Sequence, residues 1–238
     1  MKVLNELLKE HPPTFVCGCP HSGSTLMQAV IGSHSNIHAI KGETRLFYAS
    51  DLKDMNAYYC QAADHGKCRW VEKTPEHIHR LGGILGRLKT AKVIIMIRDG
   101  RDVAASLFAR TSQLRDSISR WKNDNKIALN FANHPCVLLV KYEDMVVKFK
   151  ETATRVFDFI GEEYEDAVKD FHKRQDVVER PQLARSRNEI LKLRAWQISQ
   201  PLFDGRGRYK DFNKMQLDFV LGRQQDMLFR LGYIQEAT

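Results

Sequence analysis

The run Lys92–Ile97 (KVIIMI) constrains this chain more than any other stretch. It is continuous, rich in Val and Ile, and of strand length. Such a run has no polar face to show to water, so it predicts a strand covered on both sides. Val137–Lys141 repeats the pattern, and Thr14–Cys17 and Arg69–Glu72 read as shorter strands. Helical patterns lie between them: Leu26–Ile31 ending near Gly32, His77–Arg87, Asp102–Arg110, Leu114–Asn130 and Glu151–Ile160, with Phe212–Leu231 last. Strands alternating with helices predict an α/β fold, a single domain over 1–238 with a central parallel sheet flanked by helices. Ligands of such sheets sit beyond the carboxyl ends of the strands. The loops after Cys17, Ile97 and Lys141 are therefore the places to look for chemistry.

Composition narrows the ligand. The 238 residues are 43% hydrophobic and 28% charged, enough apolar material for a core, with a net charge of +8. Excess positive charge suits an anionic ligand or nonspecific polyanion binding. Residues 180–208 concentrate it, with Arg180, Arg185, Arg187, Lys192, Arg194, Arg206 and Arg208 against Glu189 and Asp204. No helix-turn-helix, RNP or zinc-knuckle pattern accompanies the charge. No apolar run approaches the ~20 residues needed to cross a bilayer, and Met1–Glu10 carries no signal-peptide core. The odd cysteine count, five, fits free thiols in a reducing compartment, and a cytoplasmic protein is expected. A small Cys60–Cys68 disulfide is the alternative. His34 with His38 and His77 with His79 lack a third ligand pattern, so no metal is expected.

Gly18-Cys19-Pro20-His21-Ser22-Gly23-Ser24-Thr25 nearly spells a nucleotide P-loop, with Ser24 at the lysine position. The missing lysine argues against ATP or GTP hydrolysis. A glycine loop feeding a helix N-terminus still attracts a phosphate-like group. The wording Phe15–Met27 resembles the 5′-phosphosulfate loop, G-x-P-[KR]-S-G-[ST]-T, of sulfotransferases that use 3′-phosphoadenosine 5′-phosphosulfate (PAPS). It is closest to the tyrosylprotein, heparan and bacterial branches. The resemblance implies a P-loop-like sulfotransferase fold and a donor loop made by Gly18, His21, Ser22, Gly23, Ser24 and Thr25. His21 stands where the family carries Lys or Arg, and its charge near neutral pH is conditional.

Three further segments resemble the family in the expected order. Arg98-Asp99-Gly100-Arg101-Asp102 through Ser106 is similar to the 3′-phosphate motif, which implies phosphate contacts from Arg98 and Ser106. Arg101 is left to pair with Asp102 or Asp99. Leu138–Met145 resembles the family's strand followed by YED, which implies that Tyr142 packs near the adenine. Gly205–Phe212 looks like a shortened late basic loop, so Arg206 and Arg208 are candidates for the 3′-phosphate.

Sulfuryl transfer needs an in-line acceptor, a cation at the leaving oxygen and a base. Lys73, in Glu72-Lys73-Thr74-Pro75, resembles the lysine that contacts the leaving oxygen. The histidine that one branch places two residues later is Pro75 here. Lys41–Phe47 resembles the segment in which another branch carries a catalytic glutamate, which makes Glu43 the expected base and His77 the next candidate. His21 completes the expected catalytic set.

The resemblance implies a sulfotransferase acting from PAPS on a hydroxyl or amine, with no metal. The expected acceptor is a small molecule or carbohydrate, in a pocket shaped by Phe47–Lys67, Thr111–Asn130 and Glu179–Phe203, where Tyr48, Tyr58, Tyr59, Trp121 and Trp196 lie. A nucleotide kinase of related fold and a noncatalytic polyanion-binding module are the rival readings.

Overall fold

The computed structural model describes residues 2–49, 54–174 and 200–235. Expectations for Arg180, Arg185, Arg187, Lys192, Arg194 and Trp196 fall outside them. Along the chain run α1 (Lys2–Glu10), β1 (Thr14–Gly18), α2 (Ser24–Gly32), β2 (Ile37–Ala39), α3 (Leu46–Ala49), α4 (Asp54–Asp64) and β3 (Arg69–Lys73). A 3-10 turn, Pro75–Arg80, leads into α5 (Leu81–Arg87) and β4 (Lys92–Ile97). Then follow α6 (Gly100–Thr111), α7 (Leu114–Asn130), β5 (Val137–Lys141), α8 (Tyr142–Val147) and α9 (Phe149–Ile160). Two more 3-10 turns, Asp166–Lys173 and Arg208–Asp211, precede α10 (Lys214–Arg230).

The strands form one parallel sheet in the order β2-β3-β1-β4-β5. Alternate residues of each strand feed opposite cores. Phe15, Val93, Ile95 and Ile97 pack into one, with Trp70, Trp121 and Leu228. Val16, Ile94, Met96 and Val140 pack into the other, with Met27 and Phe157. Full burial of such a side chain contributes about 1.5–3 kcal/mol, so the sheet is held by apolar cover on both sides, as its sequence requires. Chain order reverses at β1 and β4: β2 and β3 lie on one side of β1, and β4 and β5 on the other. The crevice at such a switch point is where ligands bind in open parallel sheets.

Several boundaries differ from expectation for local reasons. His77 lies in the 3-10 turn, where its N–H donates to Thr74 O at 3.0 Å, and the α-helix starts only at Leu81. Pro75 opens that turn because it needs no N–H partner at a first helical position. α10 starts at Lys214 because Asn213 and Gln216 close a reciprocal capping box. β2, α3 and α8 are short, and α8 begins at Tyr142 with no intervening loop.

Candidate functional site

Four strand ends face one crevice. β1 ends at Gly18 (φ 129°), where a β-carbon would stand 2.5 Å from Met96 O. The close approach to β4 is what requires glycine there. Beyond it the chain turns through His21 in the left-handed region, φ 70°, which costs a side-chain-bearing residue about 1–2 kcal/mol. Contacts offset that cost: His21 O accepts from Arg98 Nη1 at 3.0 Å, and His21 Nδ1 lies 2.7 Å from Ser106 Oγ. Gly23 (φ 95°) precedes α2, and a β-carbon there would meet Tyr142 Cδ2 at 2.7 Å. The loop can pack on that ring only with glycine.

Arg98 follows β4 and is buried. Its guanidinium donates to His21 O and Gly205 O, lies 4.4 Å from the centre of the Tyr142 ring, and stands 3.8 Å from Asp102. Tyr142 Oη donates to Phe203 O at 2.8 Å and accepts from Gly205 N at 2.9 Å. Burial pushes this phenol above its ordinary value, opposed by the Arg98 charge, so the proton for Phe203 O stays in place. Buried Asp102 accepts from Gly207 N at 3.0 Å and Tyr209 N at 3.3 Å, tying the late loop to α6. That loop brings Arg208 Nη1 to 3.4 Å from Ser106 Oγ.

At the end of β3, Lys73 Nζ donates to Glu43 Oε1 at 2.7 Å. Lys73 opens onto the same cavity of about 260 Å³ that His21, Arg98, Arg110 and Arg208 line. Among the described residues, no carboxylate side chain lines it. A concave site that brings four permanent cations to a helix N-terminus, with no lining anion among the described residues, is built for a polyanion. The adjoining Glu43 adds a group that can take a proton. Among the described residues, no group of three or more His, Cys, Asp or Glu is placed to hold a metal ion.

The structure gathers His21, Gly23, Ser24, Thr25, Lys73, Arg98, Ser106, Tyr142 and Arg208 around this cavity. Glu43 joins it through Lys73. Other residues named from the sequence lie apart from the cavity. Ser22 is fully buried and does not line the cavity, and its Oγ has no hydrogen-bond partner among the described residues. Gly18 acts only through its backbone at the β1–β4 contact. Arg206 turns outward, bonded to Asp204 by its Nε at 2.9 Å and its Nη2 at 2.8 Å. His77, the reserve base, is fully buried. Trp121 belongs to the core, where its Nε1 donates to Arg98 O at 3.0 Å and steadies the turn after β4. Tyr59 is buried too, while Tyr48 is 41% exposed. Arg101 pairs with Asp99, at 2.6 Å. All five cysteines, Cys60 and Cys68 included, are free. Sequence reading assigned no ligand role to Arg110, Phe203, Gly205 or Asp102. Asp102 sits inside the Arg98–Ser106 motif, Gly205 opens the late basic loop and Phe203 ends a segment expected to shape the acceptor pocket, so of the four only Arg110 carried no signal.

Residues 41–166 match the family described as the Sulfotransferase family. A protein-tyrosine sulfotransferase from Drosophila melanogaster is 24% identical over 77% of this chain and 45% of its own length. Protein-tyrosine sulfotransferase 2 from Gallus gallus is also 24% identical, over 67% of this chain and 54% of its own. The chain thus spans about half the length of these two relatives. Among solved structures, a mouse sulfotransferase complexed with PAP superposes with a TM-score of 0.63 at 16% identity, covering 97% of this chain and 92% of that one. The sulfotransferase domain from the curacin biosynthetic pathway gives 0.59 at 16% identity, over 94% and 99%. At these identities the structures establish the shared fold.

Proposed function

This chain belongs to the sulfotransferase family, and we propose that it transfers a sulfuryl group from PAPS to the phenol of a peptide tyrosine. One observation carries the reading: Lys73, bonded to Glu43, opens onto a cavity lined by cations and, among the described residues, by no carboxylate. The donor fits that lining. The α2 N-terminus with Ser24 and Thr25, together with His21, would hold its 5′ end, and Arg98, Ser106 and Arg208 its 3′-phosphate. When bound, PAPS supplies a sulfuryl group on a phosphate oxygen that leaves as an anion.

The protein's own groups do the rest. Lys73 has three N–H donors; Glu43 takes one, and another can meet charge that builds only during transfer. Such differential stabilisation raises kcat. Glu43 accepts the proton of the acceptor hydroxyl. The buried guanidinium of Arg98 lies on the Tyr142 ring, which holds it at the cavity wall. The protein-tyrosine sulfotransferases among the relatives support a phenol over the small molecule or carbohydrate expected from sequence. A cytoplasmic site of action belongs to the same proposal and rests on the free thiols.

The test incubates the protein with labelled PAPS and a tyrosine-containing peptide in buffer with EDTA. Label on the tyrosine oxygen is expected. Label only on a small alcohol or sugar would move the acceptor class. Equal affinity for adenosine 3′,5′-bisphosphate and AMP would overturn the donor reading itself.

A further inference from the structure

Glu72 plays no part in the chemistry above, yet it is completely buried beside it. Alternation along β3 sends Trp70 and Glu72 to one face and Val71 and Lys73 to the other, and Trp70 and Val71 indeed pack into opposite cores. One oxygen of Glu72, Oε2, accepts from two hydroxyls, Thr44 Oγ1 and Thr74 Oγ1, each at 2.9 Å. The other, Oε1, stands 2.6 Å from Nδ1 of His77, also fully buried, a charge contact whose angle falls outside hydrogen-bond geometry, in a pocket of Phe15, Phe47 and Tyr48 rings. Thr44 directly follows Glu43, and Thr74 directly follows Lys73. Both threonines pass the connection on. Thr44 Oγ1 accepts from Leu46 N at 3.2 Å, and Thr74 Oγ1 accepts from Arg45 N at 3.3 Å.

A buried carboxyl group is costly unless its oxygens are satisfied, and a core position could be filled more simply by an apolar side chain. What this group does is join two segments 30 residues apart, the turn carrying Glu43 and the strand end carrying Lys73. We propose that Glu72, backed by His77, is a positioning residue that clamps the Thr44 and Thr74 hydroxyls and so sets the Glu43–Lys73 pair. The proposal rests on the sulfuryl-transfer reading of that pair for its consequence in catalysis, but not for its geometry. Reacting groups displaced by an ångström lose rate far more than they lose binding.

Thr44→Val and Thr74→Val remove each hydroxyl at constant shape, and Thr44→Ser and Thr74→Ser restore it. Two readouts separate clamping from packing. The first is acylation of Lys73 by an N-hydroxysuccinimide ester in the unliganded full chain, followed by mass spectrometry. The Val variants should label Lys73 several-fold faster, and the Ser variants at the wild-type rate. The second is turnover of PAPS and a tyrosine peptide, where the Val variants should lose roughly 10- to 100-fold in kcat with the KM for PAPS little changed. Wild-type labelling and wild-type kcat in Val variants that merely melt earlier would overturn the proposal. Glu72→Gln should reproduce the Val phenotype; if it does not fold, the threonine variants decide alone. If the wild type sulfates no peptide, the acceptor reading falls while the labelling result still decides the clamp.

Discussion

Lys73 gives one of its three N–H donors to Glu43, at 2.7 Å, and the two residues should fail differently. Lys73→Ala removes charge needed only during transfer, so kcat should fall while bisphosphate affinity measured by calorimetry stays near wild type. Glu43→Gln keeps the shape and removes the base, at a cost of about 10²–10⁴-fold in rate. Normal turnover in Glu43→Gln would place the base elsewhere. His21 makes the third residue-scale prediction. Its ring faces the cavity beside Ser106. His21→Ala should weaken bisphosphate binding measured by calorimetry, and His21→Arg, which fixes a positive charge there, should restore it. Unchanged affinity in His21→Ala would remove His21 from contact with the nucleotide.

The late loop and the β5–α8 junction carry the predictions at the level of elements. Asp102 holds Gly207 N and Tyr209 N, which aims Arg208 inward and leaves Arg206 against Asp204 in solvent. Arg208→Ala should therefore cost about 1.5–3 kcal/mol of bisphosphate affinity, the usual value of a charged hydrogen bond. Arg206→Ala should bind as the wild type does, and a reversed order would mean that the loop rearranges on binding. At the junction, Glu143 accepts from Asp99 N at 3.0 Å and from Tyr233 Oη at 2.8 Å. Burial raises its carboxyl above the ordinary 4.5, opposed by those hydrogen bonds. The folded state then keeps a proton that the unfolded chain has released. Its contribution to stability falls as pH rises from about 4.5 through the folded value, and is level above it. Glu143→Gln removes the titration, so its melting temperature should fall less than the wild type's across that window. Equal slopes would assign the effect to another group.

At the scale of the molecule, the cavity straddles the point where chain order reverses, with His21 following β1 and Arg98 following β4. A ligand there contacts both halves of the sheet and the loop between Phe203 and Arg208. It should stabilise the whole fold by mass action, about 2.7 kcal/mol at a hundredfold excess over Kd. Thermal melting with adenosine 3′,5′-bisphosphate should rise well above melting with AMP at equal concentration. Stabilisation by heparin but not by the bisphosphate would favour a polyanion-binding module instead.

The sequence by itself determined the parallel sheet and the order of its loops. Buried strands must be apolar throughout, and a phosphate loop must place glycine and hydroxyl residues at short fixed spacings. Both signals are local, so Lys92–Ile97, Gly18–Thr25 and Arg98–Ser106 were legible without a structure. Side-chain direction in the irregular segments was not. Arg206 and Arg208 look alike in sequence, and Asp102, more than a hundred residues away, decides between them. Ser22 reads as a phosphate ligand beside Ser24, but the left-handed turn at His21 precedes it and its hydroxyl ends inside the protein. Trp121 reads as a pocket aromatic, and its indole instead fastens Arg98 from the core. Glu72 reads as half of a motif around Lys73. Only the fold brings Thr44 to its carboxyl group, because the turn after β2 must return over the end of β3 before one buried oxygen can hold both chains.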